Sequence, residues 1–211
     1  IDIPGYGRSP AGTAEMSRFD MAQALWETLD EICPGEPAVL VGCSVGSSLV
    51  PHMYKLKPEQ TKAMIVCGTG YRGPDEVSPH IQFYKDNGLS YRWDFTFKDF
   101  SAGFGATPMA SYFARLFTER DAFADLPTIL TQLAASRPAE EFFQTIDCPM
   151  IILSGSEDGA HPGAFKLQKL VPRCEMKTLH GAGHACQLEQ PWLFDQYMIE
   201  FLRKHELFPV K

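Results

Sequence analysis

Four apolar runs constrain this chain more than any other feature. "AVLVGCS" (38–44), "KAMIVCG" (62–68) and "CPMIILSG" (148–155) are short and almost continuously apolar, and "CEMKTLHG" (174–181) is more mixed. A continuous rather than alternating run is the pattern of a strand buried on both faces. Helical patterns lie beside these runs. Residues 17–32, "SRFDMAQALWETLDEI", carry Met21, Leu25, Leu29 and Ile32 on one stripe. Ser17 or Asp20 can cap that start, and Pro34-Gly35 and Pro37 end the segment. Further helices are expected over 45–56, where Gly46 and Pro51 weaken the pattern, over 163–171, and over 190–204, where Phe194, Met198, Phe201 and Leu202 form the stripe. Strands alternating with helices predict an α/β fold, a mostly parallel sheet with helices on both faces.

Residues 74–143 break this rhythm. They are rich in aromatics (Phe83, Tyr84, Tyr91, Trp93, Phe95, Phe97, Phe100, Phe104, Tyr112, Phe113 and Phe117) and read as short helices and loops inserted between two strands. The expected organisation is a core of residues 1–73 and 144–211 carrying a helical cap over 74–143. Some of those rings would fill the cap's own small core and others would face a cleft.

The net charge of −7, with no Lys/Arg run, argues against a nucleic-acid partner. No apolar stretch is long enough to span a bilayer. The six cysteines form no C-x-x-C pair, which argues against a zinc site. Most of them lie in apolar segments, as reduced buried thiols do, so a cytoplasmic location is expected.

"GCSVG" at 42–46 is a G-x-S-x-G sequence between an apolar run and a helical pattern. A nucleophilic serine needs this sharp strand-to-helix turn, with small residues two before and two after it so that strand and helix can approach. Ser44 is the candidate nucleophile, and the Val45 N–H, at a helix start, is the candidate oxyanion donor. Serine needs a base, and the base needs an orienting acid. His184, in a glycine-flanked loop between the fourth run and the last helix, is the candidate base; His180, at the run's end, reads as structural. Asp158, just past the third run, is the candidate acid, with Glu157 its near rival and Asp75 a distant one. No metal or organic cofactor is implied.

Other signals carry less. "GTGYRG" (68–73) matches the dinucleotide fingerprint G-x-G-x-x-G, and Asp94 stands where an acidic residue would follow, but Pro74 and Pro79 interrupt the helix that should bind a pyrophosphate. It is expected to be a turn into the insert. Cys43 reads as a packing residue. His52, His80, His161 and His205 have no metal-ligand spacing and read as surface or structural, with His80 able to touch substrate from the cap.

The order Ser44…Asp158…His184, with "GSEDGAHP" and "GAGHACQLEQPWLF" around the acid and base, resembles the α/β-hydrolase superfamily, most of all its capped esterase-like members. In those, a D-x-P-G-x-G-x-S turn follows the fourth strand, and Asp2-Ile3-Pro4-Gly5-Tyr6-Gly7-Arg8-Ser9 matches it. The resemblance implies that Ile1–Ile3 end that fourth strand, that the strands before it and the loop giving a second oxyanion N–H lie upstream, and that the strand ending at Ser44 pairs with one of them. An N-terminally truncated sheet would expose an apolar edge, so an upstream segment or a second chain is expected to complete it. The implied activity is a serine hydrolase cleaving an ester-type bond of a small, largely apolar substrate through an acyl-enzyme. A carbon–carbon bond or lactone hydrolase acting on an aromatic degradation product is the nearest alternative, and a small-molecule sensor with little or no turnover the alternative from another class.

Overall fold

A computed structural model describes residues 1–13, 15–74, 99–120, 128–129, 131–132 and 137–208. In chain order the elements are α1 (Arg18–Ile32), β1 (Ala38–Cys43), α2 (Val45–Leu56), a 3₁₀ turn at Pro58–Gln60, β2 (Thr61–Cys67), α3 (Ala102–Gly105), α4 (Pro108–Arg120), α5 (Glu140–Gln144), β3 (Met150–Gly155), α6 (His161–Leu170), β4 (Cys174–Leu179), α7 (Cys186–Glu189) and α8 (Pro191–Lys204). The four strands form one parallel sheet in the order β1-β2-β3-β4.

Side-chain alternation along the strands sorts the core into two layers. Met64 and Val66 of β2, with Met150 and Ile152 of β3, face the layer built by α1, α2 and α6. Ala63, Ile65 and Cys67, with Ile151 and Leu153, face Phe194 and Phe201 of α8. Both faces are covered, which is why these runs are continuously apolar. α1 starts at a capping box: the Ser17 hydroxyl accepts the Asp20 N–H, and the Asp20 carboxylate accepts the Ser17 N–H. Trp26 of α1 is fully buried, and its indole N–H donates to the Met53 carbonyl at 2.9 Å, tying α1 to α2.

Some expectations shift. β3 begins at Met150, because Pro149 has no N–H to give the ladder. α6 begins at His161, with Pro162 in its first turn, where a missing N–H costs nothing. A one-turn helix, α7, precedes α8, and Pro191 opens the latter. Ile1–Ile3 are not in a strand among the described residues. The turn after them is as expected: Tyr6 N–H bonds Ile3 O at 3.0 Å, Gly5 and Gly7 have positive φ, and the Asp2 carboxylate accepts the Arg8 N–H at 3.0 Å. β1 is an edge of the described sheet, and Val41 is 60% exposed there. Cys43 is exposed on the same edge rather than packed, because no strand among the described residues lies beyond it; its sulfur accepts from Gln187 Nε2 at 3.3 Å.

Between β2 and β3, Phe100 packs with Ala110 and Ala114 of α4 and with Ala185, and Phe104, Phe113, Phe117 and Leu188 close around them. Phe83, Tyr84, Tyr91, Trp93, Phe95 and Phe97 lie outside the described residues. Residues 69–74 form no helix after the "GTG" turn. Gly70 instead sits tight on α6, where a Cβ would come 2.5 Å from the Gly163 carbonyl carbon.

Candidate active site

The site is assembled where the strands end. Ser44 lies between the last residue of β1 and the first of α2, with φ 52° and ψ −114°. A side chain rarely holds that conformation, which costs about 1–3 kcal/mol and persists only where the surroundings enforce it. Here the Ser44 N–H donates to Cys67 O at 2.9 Å. The buried Ser47 hydroxyl lies 2.7 Å from the carbonyls of both Gly42 and Cys67 and accepts the Cys67 N–H at 3.1 Å. β1, α2 and the end of β2 are thereby locked around the turn.

The two elbow glycines are not equivalent. A Cβ on Gly42 would stand 2.7 Å from the Gly46 carbonyl carbon and oxygen, whereas one on Gly46 would meet nothing within 4 Å among the described residues. The need for a small residue therefore rests on Gly42. Gly42→Ala is expected to cost about 1–3 kcal/mol of stability and, by displacing Ser44, to slow reaction at its hydroxyl about a hundredfold. Gly46→Ala is expected to fold normally. Thermal melts and the rate of fluorophosphonate labelling of the two variants check both.

His184 sits in the β4–α7 loop. Its Nε2 is 2.8 Å from Ser44 Oγ, and its Nδ1 is 3.1 Å from each Asp158 carboxylate oxygen. A carboxylate only accepts, so Nδ1 carries the proton and the bare Nε2 of the neutral ring faces the serine. Asp158 is buried and also accepts the Ala160 N–H at 2.8 Å. Burial works against a charged His184 ring, but the hydrogen bond and charge of Asp158, helped by Asp99 and Cys43, outweigh it and raise the ring to about 9.

Two glycines that the sequence did not connect with the site make room for this loop. Gly68, at φ +59°, lies against the imidazole, where a Cβ would be 2.9 Å from Cε1. Gly155 lies under the loop, where a Cβ would be 2.1 Å from Gly183 O. In the sequence Gly68 stands out only as the first glycine of the 68–73 fingerprint, read as a turn, and Gly155 only as a glycine ending a strand. Hydrogen bonds stitch the two loops together: Glu157 N–H to Ala182 O at 2.9 Å and Gly181 N–H to Ser156 Oγ at 2.9 Å.

The structure thus brings Ser44, His184 and Asp158 into one chain of hydrogen bonds. Val45 opens α2, and its N–H is among the first four of the helix, which have no acceptor within it. Glu157 points away, its carboxylate accepting the Ala102 N–H at 3.1 Å. His180 is exposed and offers its carbonyl to Gln190 Nε2 at 2.7 Å. His52, on α2, is buried against Phe19 and Phe142, its Nδ1 donating to Ser48 O, and burial holds it down at about 4. His161 pairs with Ser154, and His205 with Glu175. Asp75, Asp94, Pro79 and His80 lie outside the described residues.

A parallel sheet, a strained strand-to-helix serine and a histidine delivered by the last loop define a fold, and comparison with known proteins gives it a family. The chain belongs to the alpha/beta hydrolase family, whose profile matches residues 1–194. Over 83 residues, 39% of this chain and 30% of the other, it is 36% identical to the pimeloyl-[acyl-carrier protein] methyl ester esterase of Chromobacterium violaceum. The aligned stretch therefore spans less than a third of that relative's length. A thermophilic esterase from Thermogutta terrifontis superposes with a TM-score of 0.80 at 18% identity, covering 97% of this chain and 78% of that one. Est816, described as an N-acyl homoserine lactone degrading enzyme, gives 0.80 at 18% identity over 95% and 81%. At such identities the likeness establishes the fold. Among the described residues no helix is long and apolar enough to cross a membrane.

Proposed function

We propose that the chain is a serine hydrolase that cleaves an ester-type bond of a small, largely apolar substrate through an acyl-enzyme, with Ser44 as nucleophile, His184 as base and Asp158 as the orienting acid. The observation that carries this reading is the unbroken relay from Ser44 Oγ through both His184 nitrogens to Asp158. Neutral His184 takes the Ser44 proton at Nε2 while Oγ attacks the carbonyl carbon. The oxyanion so formed is held by the Val45 N–H. Collapse expels the alkoxide, which takes the proton from His184 and leaves the acyl group on Oγ. A water deprotonated by His184 then attacks the acyl carbon and frees Ser44.

The choice of an ester over other carbonyl compounds is supported by the esterase name of the Chromobacterium violaceum relative. The aromatic insert over 74–143 acts in this reading as the cap that supplies an apolar acyl pocket. A strand beside the exposed edge of β1, from a further segment or a second chain, completes the sheet and brings the second oxyanion donor; the exposure of Val41 supports it.

The test is turnover of 4-nitrophenyl butyrate. An enzyme releases nitrophenolate steadily past one equivalent per chain. Release that stops at one equivalent or never starts would sink the hydrolase reading and leave a sensor.

A further inference from the structure

The loop that carries His184 is held by a carboxylate with no part in the relay. Glu189, the last residue of α7, accepts the Gly183 N–H at 3.0 Å, the Ser101 N–H at 3.0 Å and the Ser101 hydroxyl at 2.5 Å. Gly183 precedes the histidine; the residue after it, Ala185, donates its N–H to Asp99 O at 3.1 Å. Both neighbours of His184 are therefore tied to one short strap, residues 99–101, which leads directly into α3. The fit is close. A Cβ on Gly183 would lie 2.5 Å from Ser101 N and 2.6 Å from the Phe100 carbonyl carbon. Phe100 in turn packs on α4 and on Ala185. The adjacent Gln190 holds the other end of the loop through His180 O.

We propose that Glu189 is a positioning residue for catalysis, acting by clamping the His184 loop to the 99–101 strap so that the imidazole stays between Asp158 and Ser44. The proposal rests on the Ser44–His184–Asp158 reading above. Without an oxygen at this position the Gly183 N–H and the Ser101 donors are left to water, and the loop then drifts from Asp158. Small displacements of a base from its partners are costly in rate because the reacting geometry is narrow. They also change the base itself. A histidine held less firmly against Asp158 loses the hydrogen bond and charge that raise it, so it titrates nearer its ordinary value.

The experiment measures kcat and KM for 4-nitrophenyl butyrate from pH 5 to 10 in the 211-residue chain and in Glu189→Ala, Glu189→Gln, Ser101→Ala and Ser44→Ala. Glu189→Ala is expected to lower kcat about tenfold to a hundredfold with little change in KM. It is also expected to move the rising limb of the kcat profile down by about one pH unit or more. Glu189→Gln keeps an oxygen for the two N–H groups and is expected to recover most of kcat. An unmoved limb in a folded Glu189→Ala overturns the proposal, even if kcat falls, since a purely structural loss would leave the titration of His184 in place. If Glu189→Ala does not fold by circular dichroism, Ser101→Ala decides: a limb shifted the same way supports the clamp, and an unshifted one overturns it. Full turnover by Ser44→Ala would instead sink the underlying reading, independently of Glu189.

Discussion

Ser44→Ala is expected to abolish labelling of the chain by a fluorophosphonate and to cut ester hydrolysis by about 10⁴-fold or more. A fluorophosphonate phosphonylates a serine only where a base takes the hydroxyl proton as the O–P bond forms and fluoride leaves, so the reagent reads the Ser44–His184 contact of 2.8 Å rather than serine content. The other serines supply internal controls. Ser47 and Ser48 give their hydroxyls to main-chain carbonyls, and Ser101 gives its hydroxyl to Glu189. Ser154 does have a histidine at hand, His161 at 2.9 Å, but Ser154 is fully buried, out of reach of the reagent. Peptide mass spectrometry should therefore find the adduct on Ser44 alone. An adduct on Ser154, or one that persists in Ser44→Ala, would refute the assignment of the nucleophile. The alanine variant also reports on strain. With φ at 52°, position 44 keeps its unfavourable backbone whichever of the two residues occupies it, so the variant should melt close to the parent. Loss of activity then traces to the missing oxygen.

The strands were legible because a parallel sheet covered on both faces leaves its mark as uninterrupted apolar runs. All four stand within two residues of where those runs lie, and α1, α2 and α8 lie where helices were expected, although Ile32, at the end of the α1 stripe, is exposed. The meeting of Ser44, Asp158 and His184 could be expected because each stands one to five residues past the end of a strand of one parallel sheet, and so at one edge of it. What sequence did not disclose depends on three-dimensional closeness. Nothing ties Gly68 or Gly155 to the site until the imidazole and the Gly183 carbonyl are placed against them. Ser47 looks like a helix serine until its hydroxyl is found between two strand ends. Glu189 is one acid in an ordinary helix start, and its partner Ser101 is 88 residues away. The elbow pattern names two small residues, yet only Gly42 meets backbone that a side chain would strike. α7 was missed because four residues are too few to show a helical period.

Asp158→Asn is expected to change both the height and the position of the pH profile. The proposed mechanism needs neutral His184. With the ring raised to about 9, the rate of the parent chain should climb about tenfold per pH unit below that value and level off above it. The same shift acts on stability with the reverse sign. The folded state binds the His184 proton more tightly than the unfolded chain, where the ring titrates near 6.5, so this contribution is complete below about 6.5 and lost as pH rises through about 9. It amounts to roughly 3 kcal/mol at most. Alkaline solution thus activates the site while loosening the fold. Asparagine at 158 removes the charge and the carboxylate hydrogen bond together and leaves burial, which lowers the ring, opposed by Asp99 and Cys43 alone. The rising limb should then fall from about 9 toward the ordinary value, and the alkaline loss of stability should shrink with it. The plateau should fall about 10⁴-fold, because an amide can donate to Nδ1 and favours the tautomer whose proton faces Ser44. Rate profiles and melts from pH 5 to 10 on the two proteins measure all three effects. A variant whose limb stays near 9 would show that Asp158 does not govern His184, and the acid would have to be sought elsewhere, with Asp99 the first to replace.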